Sequence, residues 1–451
     1  LSPRRRTLAI VLAGGEGRRL APLTRDCAKP ALPFGGQYRV VDFALSNLVN
    51  AGFLRIIVLT QYKSQLLAQH IARAWPLSSG VGQYIATVPA QMQLGPQWFS
   101  GSADAIYQNL ELIRAEAPDH VAVFGADHVY RMNADRMLEA HVASGAGVTV
   151  AGLRVPAASA SEFGVIKTGP GGVITNFFEK PTDPLAMFPG RDTVVASMGN
   201  YMFRLDALVE AVSLDAAQDT SGHDLGGDII PHFVANGQAH LFDFDGDIVP
   251  GQREAGRGYW RDVGTIDSYY EANMDLVAVE PRLNLYNQEW PIYTHQEPLP
   301  PAKTVHESAM RSGLTLNSLL SGGVIVSGST VRNSILGPKA RVHSRAIVED
   351  SILMHGVEVG AGSVVRRAII DRDVELPPGT QIGVDAAADA ARFTVSEGGV
   401  VVVGARDKVL HSPRPLSTTG TPLRPAIDLT SSEVTLEEAA SRRTLTADRA
   451  D

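Results

Sequence analysis

A single cysteine, Cys27, stands among 451 residues, so no intramolecular disulfide can form, and neither a Cys-x-x-Cys pair nor a His/Cys spacing suited to zinc is available. No run approaches the roughly 18 uninterrupted apolar residues that a membrane span needs. The N-terminal stretch Leu1-Ser2-Pro3-Arg4-Arg5-Arg6 lacks the apolar core of a secretory signal. Together these absences predict a protein of the reducing cytoplasm without a membrane partner; the start at Leu1 rather than methionine is consistent with a missing short leader. Basic residues are the minority, 40 Lys and Arg against 48 Asp and Glu for a net charge of -8, which argues against a nucleic-acid binder driven by phosphate neutralisation. The composition, 44% hydrophobic and 20% charged, is nevertheless ordinary for a globular chain, and the length exceeds what one core supports, so two domains are expected.

From Thr7 to about Val150 short apolar runs alternate with helical spacing. Leu8 to Leu12, Arg55 to Leu59, Ile85 to Val88, Val121 to Phe124 and Val148 to Val150 read as strands. Val41, Leu45, Leu48 and Val49, and again Ala105, Leu110, Leu112 and Ile113, recur as on crossover helices. This predicts an α/β, Rossmann-like domain over residues 7–288 with a mainly parallel sheet, whose ligands gather at the carboxyl ends of its strands.

From Ser318 the period changes to steps of five or six: Val326, Val331, Leu336, Val342, Val348, Leu353, Val359, Val365, Ile370, Leu376 and Ile382. That is the hexapeptide rhythm of a parallel β-helix, with each aliphatic pointing into a narrow prism and small residues such as Gly328, Ser329, Gly337, Gly360 and Gly362 near its corners. A left-handed β-helix domain over 313–405 is expected. Residues 289–312, with Pro291, Pro298, Pro300 and Pro301, read as a linker too proline-rich for a helix or a central strand. Residues 411–451 read as a flexible tail in which Val434 to Ala440 could form one isolated helix.

The strand Leu8 to Leu12 runs into Ala13-Gly14-Gly15-Glu16-Gly17-Arg18-Arg19-Leu20, then Pro22-Leu23-Thr24 and Ala28-Lys29-Pro30. Glycines let backbone N–H groups approach a polyphosphate, and nearby basic side chains neutralise its charge. No Gly-Lys-Ser/Thr closes the loop and the third glycine of a dinucleotide fingerprint is missing, so the ATPase and dehydrogenase readings lose. The whole pattern resembles the signature of nucleotide-diphosphate-sugar pyrophosphorylases. Further blocks sharpen the resemblance to bacterial glucose-1-phosphate adenylyltransferases: Phe34 to Asn47, Thr60 to Ser64, Gly101 to Ala105, Gly125 to Tyr130, Glu162 to Val165, Phe178 to Pro181, Ser197 to Tyr201, His223 to Asp228, Tyr259 to Thr265 and Leu299 to Lys303. The resemblance covers roughly residues 7–405, and the Trp260-Arg261-Asp262-Val263-Gly264-Thr265 and Pro300-Pro301-Ala302-Lys303 blocks set it apart from GDP- and dTDP-sugar relatives.

The resemblance implies attack by a glucose 1-phosphate oxygen on the α-phosphorus of ATP, giving ADP-glucose for glycogen synthesis and pyrophosphate. Two anions must meet, which calls for Mg²⁺ and fixed cations. Asp127, just after an apolar strand, is implied as the principal Mg²⁺ ligand with Asp262 as its partner. Gly14, Gly15, Gly17, Arg19 and Lys29 are implied around ATP, with Arg18 left as a surface charge. Lys180 is implied on the phosphate of glucose 1-phosphate, Glu179 on its hydroxyls, and Gly164 and Ser197 as an amide and a hydroxyl contact. Asp224 orients either sugar hydroxyls or basic groups, while His223 reads equally as a structural histidine. Phe99 stands where relatives commonly carry a tyrosine, so it keeps a packing role without the hydroxyl.

Members of this family are usually homotetramers regulated by sugar phosphates as activators and AMP, ADP or phosphate as inhibitors; Arg39 and Arg392 match basic effector positions, whereas Asp26 and Cys27 stand where several relatives are basic. The rival readings are a GDP-mannose or dTDP-glucose type of nucleotidylyltransferase, a catalytically silent regulatory subunit, and a hexapeptide acyltransferase using His343 or His355.

Overall fold

The computed structural model describes residues 3–77, 82–91, 98–305, 313–407 and 409, all within one compact unit; residues 306–312 of the expected linker and the expected tail with its helix lie outside the described residues. The strands that position the site are, in chain order, β1 (Thr7–Ala13), β2 (Arg55–Thr60), β3 (Tyr84–Pro89), β4 (His120–Gly125), β5 (His128–Tyr130), β6 (Val148–Pro156), β7 (Val165–Thr168), β8 (Ile174–Phe178), β9 (Thr193–Arg204), β10 (Ala239–Asp243) and β11 (Trp260–Asp262). β1 lies in the interior of the sheet because its run Thr-Leu-Ala-Ile-Val-Leu-Ala is apolar on both faces, as a strand buried from both sides must be. Its alternate residues enter two different cores: Ala9, Val11 and Ala13 on one face, Leu8 and Ile10 on the other.

The nine-stranded sheet has the order β8-β7-β9-β4-β1-β2-β3, with β6 pairing both β9 and β10. β4, β1, β2 and β3 are parallel, as predicted. The other half is joined through β9, which runs antiparallel to β4, β6 and β7. The register of β9 against β6 breaks between Ser197 and Tyr201, which turns that stretch out of the ladder at the site. Val40–Asn50 forms the expected crossover helix. The second helical pattern is corrected to two short helices, Ser102–Tyr107 and Leu110–Ala115. The break falls at Asn109, whose side-chain amide donates back to the Ala105 carbonyl at 2.8 Å while its own N–H bonds Ile106.

The C-terminal part is a parallel β-helix of the expected left-handed hexapeptide kind, built from three stacked sheets of five, five and six strands. All eleven periodic aliphatics are buried. They stack in columns, with Val326 beside Val342, then Val359 and Leu376; Val331 beside Val348, then Val365 and Ile382; and Leu336 beside Leu353 and Ile370. Polar columns also run coil to coil. The hydroxyls of Ser318, Ser334 and Ser351 each accept an amide from the next coil at 3.1–3.3 Å. The outward neighbours Ile335, Ile352 and Ile369 are buried too, because that prism side packs on the core that holds β1 and helix Val40–Asn50. After the last of the linker prolines, Lys303–Val305 pairs in parallel with Ile325–Ser327 as an outermost strand of the β-helix.

Candidate functional site

At the carboxyl ends of β1 and β4 a cavity of about 630 Å³ opens, in the size range of small-ligand sites. Twelve of the fifteen sequence-predicted positions line it; Gly17, Arg39 and Arg392 do not.

Its nucleotide-facing end grows from the loop after β1. Gly14 and Gly15 line the cavity, and a Cβ on Gly15 would meet nothing within 4 Å, so the backbone there stays open to a ligand. Gly17 serves differently. Its φ of 67° is left-handed and a Cβ would stand 3.1 Å from both Lys29 Cβ and Thr24 Cγ2, so glycine lets the loop close against the Lys29 turn. Thr24 fixes the closure through Oγ1–H to the Gly17 carbonyl at 2.9 Å.

That closure sets Lys29, only 8% exposed at its side chain, with Nζ 2.9 Å from Asp127 Oδ2 and 3.1 Å from Asp262 Oδ1. Asp127 follows β4. Asp262 ends β11, which pairs antiparallel with β5 so that Asp262 lies opposite His128. The two carboxylates and the His128 ring thus offer ligand atoms that all lie within 4.8 Å of one another. Burial alone would lower the Lys29 ammonium's pKa, but the charges and hydrogen bonds of Asp127 and Asp262 outweigh it and hold it raised. For Asp127, burial pushes the carboxyl up, yet Lys29 and then His128 overcome this and keep it far below the usual carboxylate range. Arg19 lies at the rim, mostly exposed and 3.2 Å from Glu162, while Arg18 is a solvated charge beside Glu16.

The opposite end rises from β7, β8 and β9. Lys180 follows β8 with a φ of 41° and pairs with Glu179 at 2.8 Å, a contact that raises its pKa despite burial. Gly164 precedes β7; a Cβ there would stand 2.4 Å from Phe177 Cζ and 2.9 Å from Glu179 Oε2. Ser197 donates its N–H to the Gly164 carbonyl at 2.7 Å, and its Oγ accepts from Gly199 N–H at 3.2 Å. Asp224 caps the helical turn Leu225–Ile229 through Gly227 N–H and accepts from Ser102 Oγ–H at 2.8 Å, so its oxygens are engaged in holding the wall. His223 is held by Asp215 at 2.8 Å, away from the cavity lining. Phe99 lines the wall with its backbone clamped by Gln61, whose Oε1 accepts from Phe99 N–H at 2.8 Å and whose Nε2 donates to its carbonyl.

His128, Gln61, Ser102 and Trp260 also line the cavity and were not singled out from sequence. His128 lies against Trp260 with ring centroids 4.8 Å apart, and its Nε2 is 3.5 Å from Asp127 Oδ1. The available signal was adjacency: His128 follows Asp127 and Trp260 precedes Asp262 by two.

The two predicted effector arginines lie outside that lining. Arg39 starts helix Val40–Asn50 and donates to the Ala31 carbonyl at 2.7 Å. Arg392 donates to the Gln381 carbonyl and pairs with Asp389, both at 3.1 Å. Asp26 pairs with Arg406, and Cys27 is buried. In the β-helix His343 pairs with Glu358 at 2.6 Å and His355 with Asp373 at 3.3 Å, each tied to a carboxylate of a neighbouring coil.

The arrangement puts a buried cation between two carboxylates at one end of a cavity and a Lys–Glu pair at the other, which suits the joining of two phosphorylated molecules. The nucleotidyl transferase family matches residues 8–278, and the GlmU-like C-terminal hexapeptide family matches 300–403. A glucose-1-phosphate adenylyltransferase of Frankia casuarinae is 57% identical over 404 residues, covering 89% of this chain and 98% of that protein. Proteins of the same name from Corynebacterium glutamicum and Acidothermus cellulolyticus are 56% and 55% identical, each spanning 96% or more of its own length and 88% and 89% of this chain. On this combination of site, fold and similarity over both parts, the chain belongs to the glucose-1-phosphate adenylyltransferase family of nucleotidyltransferases.

Proposed function

We propose that this chain joins ATP and glucose 1-phosphate to give ADP-glucose and pyrophosphate, the first committed step of α-glucan synthesis. The observation that carries the reading is Lys29 held between Asp127 and Asp262 in the same cavity as Lys180 and Glu179. A phosphate oxygen of glucose 1-phosphate forms a bond to the α-phosphorus, the bridging α–β P–O bond breaks, and pyrophosphate leaves with the electron pair. Because the attacking phosphate is already ionised, no general base is required, and the protein's task is position and charge.

In this reading Gly14 and Gly15 receive the triphosphate against their backbone, with Arg19 at the rim. Lys29 supplies a buried positive charge fixed before substrate arrives. Lys180 holds the sugar phosphate, Glu179 accepts from sugar hydroxyls, and Gly164 and Ser197 keep that wall close. Asp224 orients the wall through Ser102. Asp127 and Asp262 fit Mg²⁺, a hard cation that takes carboxylate oxygens and keeps its remaining positions for water and phosphate, with Lys29 beside it. When bound it neutralises charge on the triphosphate.

We further assign residues 7–288 to the catalytic domain, 289–312 to the linker and 313–405 to the β-helix domain, and place the protein in the cytoplasm as a homotetramer answering to phosphorylated metabolites at Arg39 and Arg392. None of the described helices is long and apolar enough to cross a membrane. Chromatography of a reaction containing ATP, glucose 1-phosphate and Mg²⁺ tests the reaction: equal amounts of ADP-glucose and pyrophosphate are expected, and consumption of ATP without a nucleotide sugar would refute it.

A further inference from the structure

A second cavity, of about 520 Å³, lies between the segment 276–286 and the first coil of the β-helix and shares no lining residue with the catalytic cavity. Arg131 lines it, the residue directly after β5. Its side chain is an anomaly: Arg131 is only 4% exposed and uses Nη1 alone, donating to the Asn284 carbonyl at 2.6 Å. Nε and Nη2 are buried with no hydrogen-bond partner among the described residues. Those two nitrogens form one edge of the guanidinium fork, the edge that binds a carboxylate or phosphate through two parallel hydrogen bonds. Leaving a charged donor pair buried and unmade is expensive, and Arg131 lines the cavity, so a guest met by a turn of this side chain would satisfy the edge. Burial pushes the Arg131 pKa down to about 10, with no carboxylate opposing it.

The rest of the cavity fits one kind of guest. Its walls are largely apolar, from Leu276, Val277, Leu283 and Leu319, and the Tyr259 ring stands there with the Arg282 guanidinium 5.6 Å from its centroid. Arg253 is exposed in the lining and Glu280 is its exposed acid. We infer that this cavity is a binding site for a small organic anion, whose carboxylate or phosphate takes the free edge of Arg131 and whose apolar body lies against Tyr259 and Leu319. The inference is independent of the reaction at the other cavity.

Calorimetric titration of the full chain with phenyl phosphate and, separately, benzoate tests it and tells which head group is taken. One equivalent of at least one probe is expected to bind per chain. Arg131→Lys, which keeps charge but loses the fork, should weaken binding at least about tenfold. Val279→Glu, at an 88% exposed lining position where folding is not at risk, should weaken it at least about threefold by placing like charge beside the guest. Lys180→Ala, in the other cavity, should leave binding unchanged. Absence of binding to the unaltered protein at millimolar probe, as when a side chain of another copy already occupies Arg131, overturns the inference. So does binding indifferent to Val279→Glu, or binding lost in Lys180→Ala.

Discussion

Replacing Lys29 with methionine removes one charge and keeps most of the side chain's volume. What remains is a pair of carboxylates facing each other without their cation. Breaking a buried pair by deleting one partner costs about 3–5 kcal/mol, whereas exposed pairs contribute about 0.2–1 kcal/mol. Lys29 is 8% exposed, but Asp127 and Asp262 are 40% and 26% exposed to the cavity, so water screens part of the loss. A destabilisation of about 2–3 kcal/mol is expected on that balance. The pH dependence follows from the shifts. The raised Lys29 pKa gives stability that is complete below its unfolded value near 10.4 and lost as pH rises through the folded one. The depressed Asp127 pKa gives stability that is complete above roughly pH 4 and lost as pH falls through the folded value. Urea unfolding of both proteins in EDTA should therefore show a gap that is constant from about pH 5 to 9 and shrinks progressively below about pH 4. Adding Mg²⁺ should stabilise the variant more than the parent, because it replaces the missing charge. A gap under about 0.5 kcal/mol, or one that changes between about pH 6 and 8, would refute the reasoning.

The remaining expectations separate the two ends of the cavity from the scaffold. Lys180→Ala should raise the KM for glucose 1-phosphate by about 10- to 100-fold, the worth of a charge-assisted hydrogen bond, with the KM for ATP nearly unchanged in initial-rate kinetics. Gly164→Ala should lower kcat/KM for glucose 1-phosphate by about tenfold or more, since the new Cβ overlaps Phe177 and crowds Glu179 by the distances above; tolerance of alanine would mean that the wall moves freely. Leu353→Ala, in the filled prism, should cost about 2–5 kcal/mol in denaturant unfolding and leave both KM values alone in the protein that remains folded.

How far the sequence could be read depended on whether the determining contacts were local. The eleven prism aliphatics were legible because a β-helix repeats its environment at short intervals, and all of them are buried. Ile335, Ile352 and Ile369 were missed because their burial comes from another part of the chain, although the doublets Ile335-Leu336, Ile352-Leu353 and Ile369-Ile370 carried the signal of a strand covered on both faces. β1 was plain from its continuous apolar run. The antiparallel role of β9 was not, since pairing direction is set by topology rather than by the composition of the strand. The broken helix at Asn109 turned on one side-chain hydrogen bond that no apolar period records. At the site, the glycine loop and the residues after strands pointed to one edge of the sheet, where they line a common cavity. The meeting of Asp127 with Asp262 depends on the β5–β11 register, a long-range pairing that only resemblance could supply before the structure was known. The unpaired Nε and Nη2 of Arg131 had no sequence signal, because an unmade hydrogen bond is visible only once its surroundings are folded.

The most direct test of the central claim is pyrophosphate release from purified protein with Mg²⁺, glucose 1-phosphate and each nucleoside triphosphate in turn, beside an Asp127→Asn variant. The account predicts release with ATP well above that with GTP, CTP or dTTP, falling at least about 100-fold in the variant. Release undiminished in Asp127→Asn would contradict the assignment of the cavity, and release greater with GTP or dTTP than with ATP would contradict the adenylyl specificity.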